Sequence, residues 1–96
     1  MSQILFKTDD NKREIMAGYD YPLAQVFFAV YDLEKADTDD ELIYSSMYDP
    51  KGPRTTKDVL AKLLEMRINY PDKFVDTLYE HERTKARNVV VDLRVN

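Results

Sequence analysis

The hydrophobic pattern of this chain changes period near Pro50-Lys51-Gly52-Pro53, and that change limits the folds open to it. Ahead of the break, apolar residues recur at every second position, the spacing of a strand with one buried face. Behind it they recur at every third or fourth position until about Arg87, the spacing of an amphipathic helix, and alternation returns at the end. Strands and helices kept in separate blocks build an α+β fold in which the helices gather on one side of a largely antiparallel sheet.

The strand block divides at its turn residues. Ile4 and Phe6 alternate with Leu5 and Lys7; Asp9-Asp10-Asn11-Lys12 reads as a turn, because Asp and Asn bond their own backbone and tolerate left-handed geometry. Arg13 to Tyr19 is the expected partner strand, with Ile15, Ala17 and Tyr19 on one face. Pro22 has no N–H to donate and breaks the pairing. Gln25 to Leu33 is the strongest strand: Val26, Phe28 and Val30 face one way, and Phe27, Ala29 and Tyr31 the other. Apolar residues on both faces predict a central strand covered on both sides, at least in part. Glu34 to Asp40 reads as an exposed acidic loop, and Leu42 to Tyr48 as a fourth strand.

Thr55 with Asp58 three residues on resembles a capping box. Val59, Leu60, Leu63, Leu64 and Met66 follow at helical spacing, and the helix is expected to end near Asn69, since Tyr70 precedes a proline. Pro71 suits the first position of a second helix, whose stripe is Phe74, Val75, Leu78 and Tyr79. Val89 to Val95 reads as a last strand. The expected architecture is one two-layer α+β domain over residues 1–96, in the order ββββααβ, with a mostly antiparallel sheet and two helices on one face. Where the last strand joins the sheet stays open.

Composition excludes several chemistries. The 96 residues contain no cysteine, which removes disulfides, thiolate nucleophiles, Cys-based zinc sites and iron–sulfur clusters. The apolar run from Met1 to Phe6 is short for a signal peptide, and no stretch approaches the roughly 20 residues of a membrane span. Both point to a cytoplasmic protein without membrane contact. The net charge is −4, and an acidic chain repels phosphate backbones, which speaks against nucleic-acid binding. Residues 1–50 hold four Lys/Arg against eleven Asp/Glu, a balance of −7; residues 51–96 hold ten against seven, a balance of +3. Such asymmetry steers a basic partner toward the first half, although helices commonly carry Lys and Arg while loops collect Asp.

No motif for catalysis, a metal or a cofactor emerges from the sequence. Ser45 and Ser46 are the strand-adjacent hydroxyls, but no Gly-x-Ser-x-Gly turn presents a serine. The single histidine, His81, lies seven residues after Phe74 and so shares the apolar side of its helix, where a lone histidine is a core-edge residue more often than a catalyst. Asp37, Asp39, Asp40 and Glu41 are dense enough to suggest acid–base work or a loose divalent-ion contact, yet a solvated loop does not raise a carboxylate's pKa. An EF-hand register begun at Asp37 puts Leu42 at the glycine position and Tyr48 at the closing one, so that motif fails. Gly18 and Gly52 are the only glycines, too few for a phosphate cradle. Arg83 to Arg87 and Arg94 lie among Glu80, Glu82 and Asp92 and read as a mixed solvated face.

Aromatics concentrate in the strand half. If helices cover the face bearing Val26, Phe28 and Val30, then Phe27 and Tyr31 lie on the other, where Ile43 and Met47, with Tyr44 nearby, complete a candidate interaction surface. The competing reading is that these residues are cross-strand pairs that stabilise any sheet.

The segments Ala17-Gly18-Tyr19-Asp20-Tyr21-Pro22-Leu23, Val26-Phe27-Phe28, Ile43-Tyr44-Ser45-Ser46 and Asp49-Pro50 resemble small uncharacterised bacterial proteins of about this length. That resemblance implies a bacterial cytoplasm and no particular activity. The expected function is a non-catalytic module that binds a protein partner or pairs with itself. The alternatives are a small-molecule or enzymatic site around Tyr44, Ser46 and His81, and an acidic decoy that offers Asp37 to Glu41 to a basic partner.

Overall fold

The computed structural model describes residues 1–94. Among the described residues, five strands form one sheet in the order β4-β3-β2-β1-β5. They are β1 (Gln3–Lys7), β2 (Arg13–Asp20), β3 (Gln25–Asp32), β4 (Leu42–Ser45) and β5 (Val90–Asp92). Between β4 and β5 come two helices, α1 (Thr56–Glu65) and α2 (Asp72–Thr84). No helix among the described residues is long and apolar enough to cross a membrane.

The β1–β2 turn forms as its residues predict. Asp10 Oδ1 accepts from Thr8 Oγ1 at 2.6 Å and from the Lys12 N–H at 3.0 Å, and Asn11 takes the left-handed conformation at φ 59°. β2 and β3 then pair over their whole lengths, from Arg13↔Asp32 to Asp20↔Gln25. Pro22 sits in the connecting turn, clear of the ladder.

The last strand corrects the expectation of an antiparallel sheet. β5 runs parallel to β1, pairing Ile4 with Val91, so the sheet is mixed. The two helices carry the chain from β4, at one edge, back to the opposite edge, and it re-enters at the end where β1 begins, with the Gln3 N–H donating to the Val89 carbonyl at 2.7 Å. The strand covers three residues instead of the stretch Val89 to Val95; Val95 lies outside the described residues.

The fourth strand is also shorter than its alternation suggested. β4 carries an irregularity opposite Val30 and Tyr31: Val30 pairs with Tyr44 but Tyr31 with Leu42, so one residue is extra. After Ser45 the chain turns into a 3₁₀ segment, Ser46–Tyr48. The Ser46 hydroxyl then takes the place of a ladder carbonyl by accepting the Phe28 N–H.

Thr55 caps α1, its Oγ1 accepting the Asp58 N–H at 3.2 Å. The Asp58 carboxylate reaches back one residue further than in a standard box, to the Arg54 N–H at 3.4 Å. α1 stops at Glu65, short of the expected Asn69. Arg67 adopts φ 57°, and the N–H groups of Arg67 and Ile68 return to the carbonyls of Leu64 and Leu63. This Schellman closure turns Ile68 into the core beside Leu63, which favours an early stop. Pro71 is the N-cap of α2, one position before the first helical residue.

The core lies between the helices and one sheet face. Ile4, Phe6, Ile15, Ala17, Tyr19, Val26, Phe28 and Val30 meet Val59, Leu63, Ile68, Phe74 and Leu78. The rings of Phe6 and Phe74 meet edge to face at 4.7 Å. Truncating either Phe74 or Leu78 to Ala would cost about 2–5 kcal/mol, the range for a fully buried side chain.

Candidate functional site

The sheet face turned away from the helices has a readable arrangement. Leu5, Met16, Ala29 and Ser45 stand in one row across it, because each pairs with the next. Lys7, Glu14, Tyr31 and Leu42 form a second row, and Gly18 faces Phe27 in a third.

Phe27, expected on the interaction surface, is only 4% exposed. Its partner across the ladder is Gly18, and a Cβ built on Gly18 would stand 3.0 Å from Phe27 Cε1. The ring lies down over the missing side chain and belongs to the sheet instead of to a binding face. Tyr44 also leaves the expected surface. It pairs with Val30, so its ring turns to the helix side and packs 5.9 Å from the Phe28 ring.

Tyr31, through its pairing with Leu42, and Ile43 and Met47, on and just after β4, mark the β4 corner. Ile43 is 46% exposed and Met47 57%. Leu42 and Tyr48 join them, and Tyr48 is 83% exposed. The phenol of Tyr31 is pushed up from its ordinary pKa, first by burial, then by the carboxylates of Glu41 and Glu14 and by Tyr48. Sequence reasoning missed Leu42 and Tyr48, although each adjoins a residue it named. Leu42 comes level with Tyr31 only through the extra residue in β4, and Tyr48 swings outward only because the strand ends at Ser45.

The corner is rimmed with acid. The segment 32–41 carries six carboxylates and one lysine. None of the ion pairs among the described residues uses Asp37, Asp39, Asp40 or Glu41. No group of three His, Cys, Asp or Glu side chains among those residues is placed to hold a metal ion.

A second feature lies on the helix side of the same edge. Tyr44 donates to Asp49 Oδ2 at 2.8 Å, and Lys62 Nζ sits 4.5 Å from the centre of its ring. Burial, and then the Asp49 bond, push the phenol up to about 12. The same bond, followed by the Lys51 N–H, holds the Asp49 carboxyl below the usual range. Arg54 knots the adjoining loop by donating to the carbonyls of Asp49, Pro53 and Ser46 at 2.9–3.2 Å. The result is a shallow cleft of about 290 Å³, with Tyr44, Asp49, Gly52, Lys62 and Glu65 in its walls. A phenol that stays protonated and points at its own carboxylate supplies neither nucleophile nor base. These bonds brace the Asp49–Pro53 loop.

Neither Ser46 nor His81 lines this cleft, so the expected cluster of Tyr44, Ser46 and His81 is not gathered around it. The Ser46 hydroxyl is held by Phe28. His81 is buried on α2, and burial pushes its imidazole below the ordinary pKa despite Glu80. Its Nδ1 and the Oγ1 of Thr56 are buried without partners, where the start of α1 meets the end of α2 and Glu82 accepts the Thr56 N–H at 3.0 Å.

The cations of the second half divide between pairs and surface. Arg83 pairs with Glu80, Arg94 bridges Asp92 and Glu14, and the Arg87 guanidinium stacks 3.8 Å from the Tyr21 ring. Comparisons with protein families, with curated proteins and with solved structures find no match to this chain.

Proposed function

We propose that this chain is a non-catalytic interaction module that docks a protein at the β4 corner. The observation that supports this reading is the gathering of Leu42, Ile43, Met47 and Tyr48 as exposed apolar side chains beside Tyr31. Single exposed apolar residues are ordinary on any protein, but a cluster with an aromatic and a methionine at a polar rim has the composition of an interface. Such side chains bury large area for few rotatable bonds, and methionine adapts to the partner's shape. The unpaired outer edge of β4 adds backbone donors and acceptors to the same corner.

A photo-reactive residue at Met47 tests the reading. It should capture one defined protein in stoichiometric yield, and Ile43→Lys should abolish the capture. The same residue at Lys57, on exposed α1 surface, should capture none. Equal capture from both positions, or no effect of Ile43→Lys, would overturn the proposal.

A further inference from the structure

The segments that lead into the two edge strands of the sheet carry opposite charge, and both strands bear exposed apolar residues. At one edge, Leu42, Ile43, Met47 and Tyr48 adjoin the six carboxylates of residues 32–41. At the other edge, Val90 is 65% exposed and Val89 stands beside it. The segment 83–90 that delivers them holds Arg83, Lys85 and Arg87 and no carboxylate. Of the acids flanking this segment, Asp92 is matched by Arg94 and Glu80 by Arg83, and Glu82 accepts the Thr56 N–H.

Backbone geometry prepares the second edge for a partner strand. The Val89 carbonyl accepts from Gln3, and the Leu93 N–H donates to Leu5. Hydrogen-bonding direction alternates along a strand, so the N–H and C=O of Val90 and Asp92 point outward, away from β1. Among the described residues no strand covers that edge, nor the outer edge of β4.

We infer that the β4 corner receives the β5 edge of a second copy of this chain, so that molecules associate head to tail. The inference rests on the interaction-module reading above and names its partner. A two-fold pairing of β4 corners would set one acidic rim against another, whereas β4 against β5 brings acid to base and apolar to apolar. Sheet extension alone does not secure the contact. β5 has three residues and β4 carries the extra residue opposite Tyr31, both features that blunt an edge. The association is therefore weak, reversible and salt-dependent, and it forms an open chain unless rotation closes it into a ring.

Sedimentation velocity from about 10 μM to about 1 mM protein covers the range in which a small interface is populated. Average mass should rise with concentration at low salt. The association constant should fall at least about tenfold between about 0.03 M and about 0.3 M salt, as the Debye length shortens from about 18 Å to about 6 Å. Ile43→Lys removes one half of the contact and Val90→Glu the other. Each variant alone should be monomeric, while their equimolar mixture should form a dimer that grows no further. Both positions are exposed, and unchanged thermal melting establishes that the variants fold.

A wild type that stays monomeric, an association indifferent to salt, or a mixture that stays monomeric would each overturn the inference. Should melting show either variant unfolded, the salt dependence of the wild type decides alone. Capture of a different protein from Met47 by a monomeric wild type would sink the head-to-tail contact and leave the interaction module standing. A monomeric wild type without capture would remove both.

Discussion

The Ser46 hydroxyl oxygen accepts the backbone N–H of Phe28 at 2.9 Å and so closes the β3 ladder where β4 has already turned away. Ser2 makes the same substitution at the other side of the sheet, its Oγ accepting the Tyr19 N–H at 2.8 Å. Both serines are buried. A short side chain carrying an oxygen replaces a missing strand residue and spares an inner strand an unsatisfied donor.

Removing either hydroxyl should therefore be costly for so small a change. Ser46→Ala and Ser2→Ala are each expected to destabilise the fold by about 1–3 kcal/mol, the range for a buried donor left unpaired. Ser45→Ala, which removes only the cap on the exposed Met47 N–H, should cost well under half as much. Urea denaturation at neutral pH measures all three. Equal losses for Ser45 and Ser46 would refute the assignment.

Gly18 tolerates no side chain. A Cβ there would stand 2.1 Å from the Ser2 carbonyl oxygen and 2.7 Å from its carbon. These are backbone atoms held by the Ser2–Tyr19 bonds, so β1 and β2 must part. Gly18→Ala should lose about 2–3 kcal/mol or more, at the upper end for overpacking, and should expose Phe27. Thermal melting reads the first effect and hydrogen exchange at Phe27 the second.

Arg67 and Lys85 close α1 and α2 at φ 57° and 55°, where a side chain is strained. Glycine relieves that strain and gives back part of the gain through the entropy of the unfolded chain. Arg67→Gly and Lys85→Gly should each stabilise by about 0.5–1 kcal/mol and raise the melting temperature by roughly 2–8 °C. Calorimetry checks this, and a fall in melting temperature would contradict it.

Burial of the Tyr44 phenol and its bond to Asp49 make stability depend on pH at both extremes. In the fold the phenol is pushed up to about 12, whereas an unfolded tyrosine ionises near its ordinary 10. Between those values the unfolded chain releases a proton that the fold retains, so stability falls as pH rises through the window. Asp49 acts in the opposite sense. Its carboxyl is held below the usual range, so its contribution is present at neutral pH and is lost as pH falls through the folded value. Tyr44→Phe should flatten both arms of a stability–pH curve followed by denaturant midpoint. An unchanged acid arm would show that the bond does not form.

The candidate corner was partly visible beforehand. Ile43, Met47 and Tyr31 follow from alternation and from the acidic loop beside them. Alternation places Phe27 on that surface because it assigns a face and says nothing about what lies on it, whereas Tyr44 joins it only as a neighbour of Ile43. Phe27 disappears because Gly18, on the neighbouring strand, has no side chain to hold it off. Tyr44 turns inward because it pairs with Val30, whose side chain faces the helices; the extra residue lies beyond that pair and brings Leu42 level with Tyr31.

Side-chain periodicity is recorded in neighbouring residues, so the sequence by itself determined the kinds of element, their order, a threonine cap at the start of α1 and most of the apolar positions that form the core, while Leu64 and Tyr79, on the expected helical stripes, stand exposed. Those depend on contacts within a few residues and on the need to bury one stripe of each element. Only the tertiary structure decided that β5 runs parallel beside β1, that α1 stops at Glu65 so that Ile68 can join the core, and that Ser46 stands in for a strand. Each of these is settled by hydrogen bonds and packing between residues distant in sequence, whose free energy outweighs the local preference that pointed elsewhere.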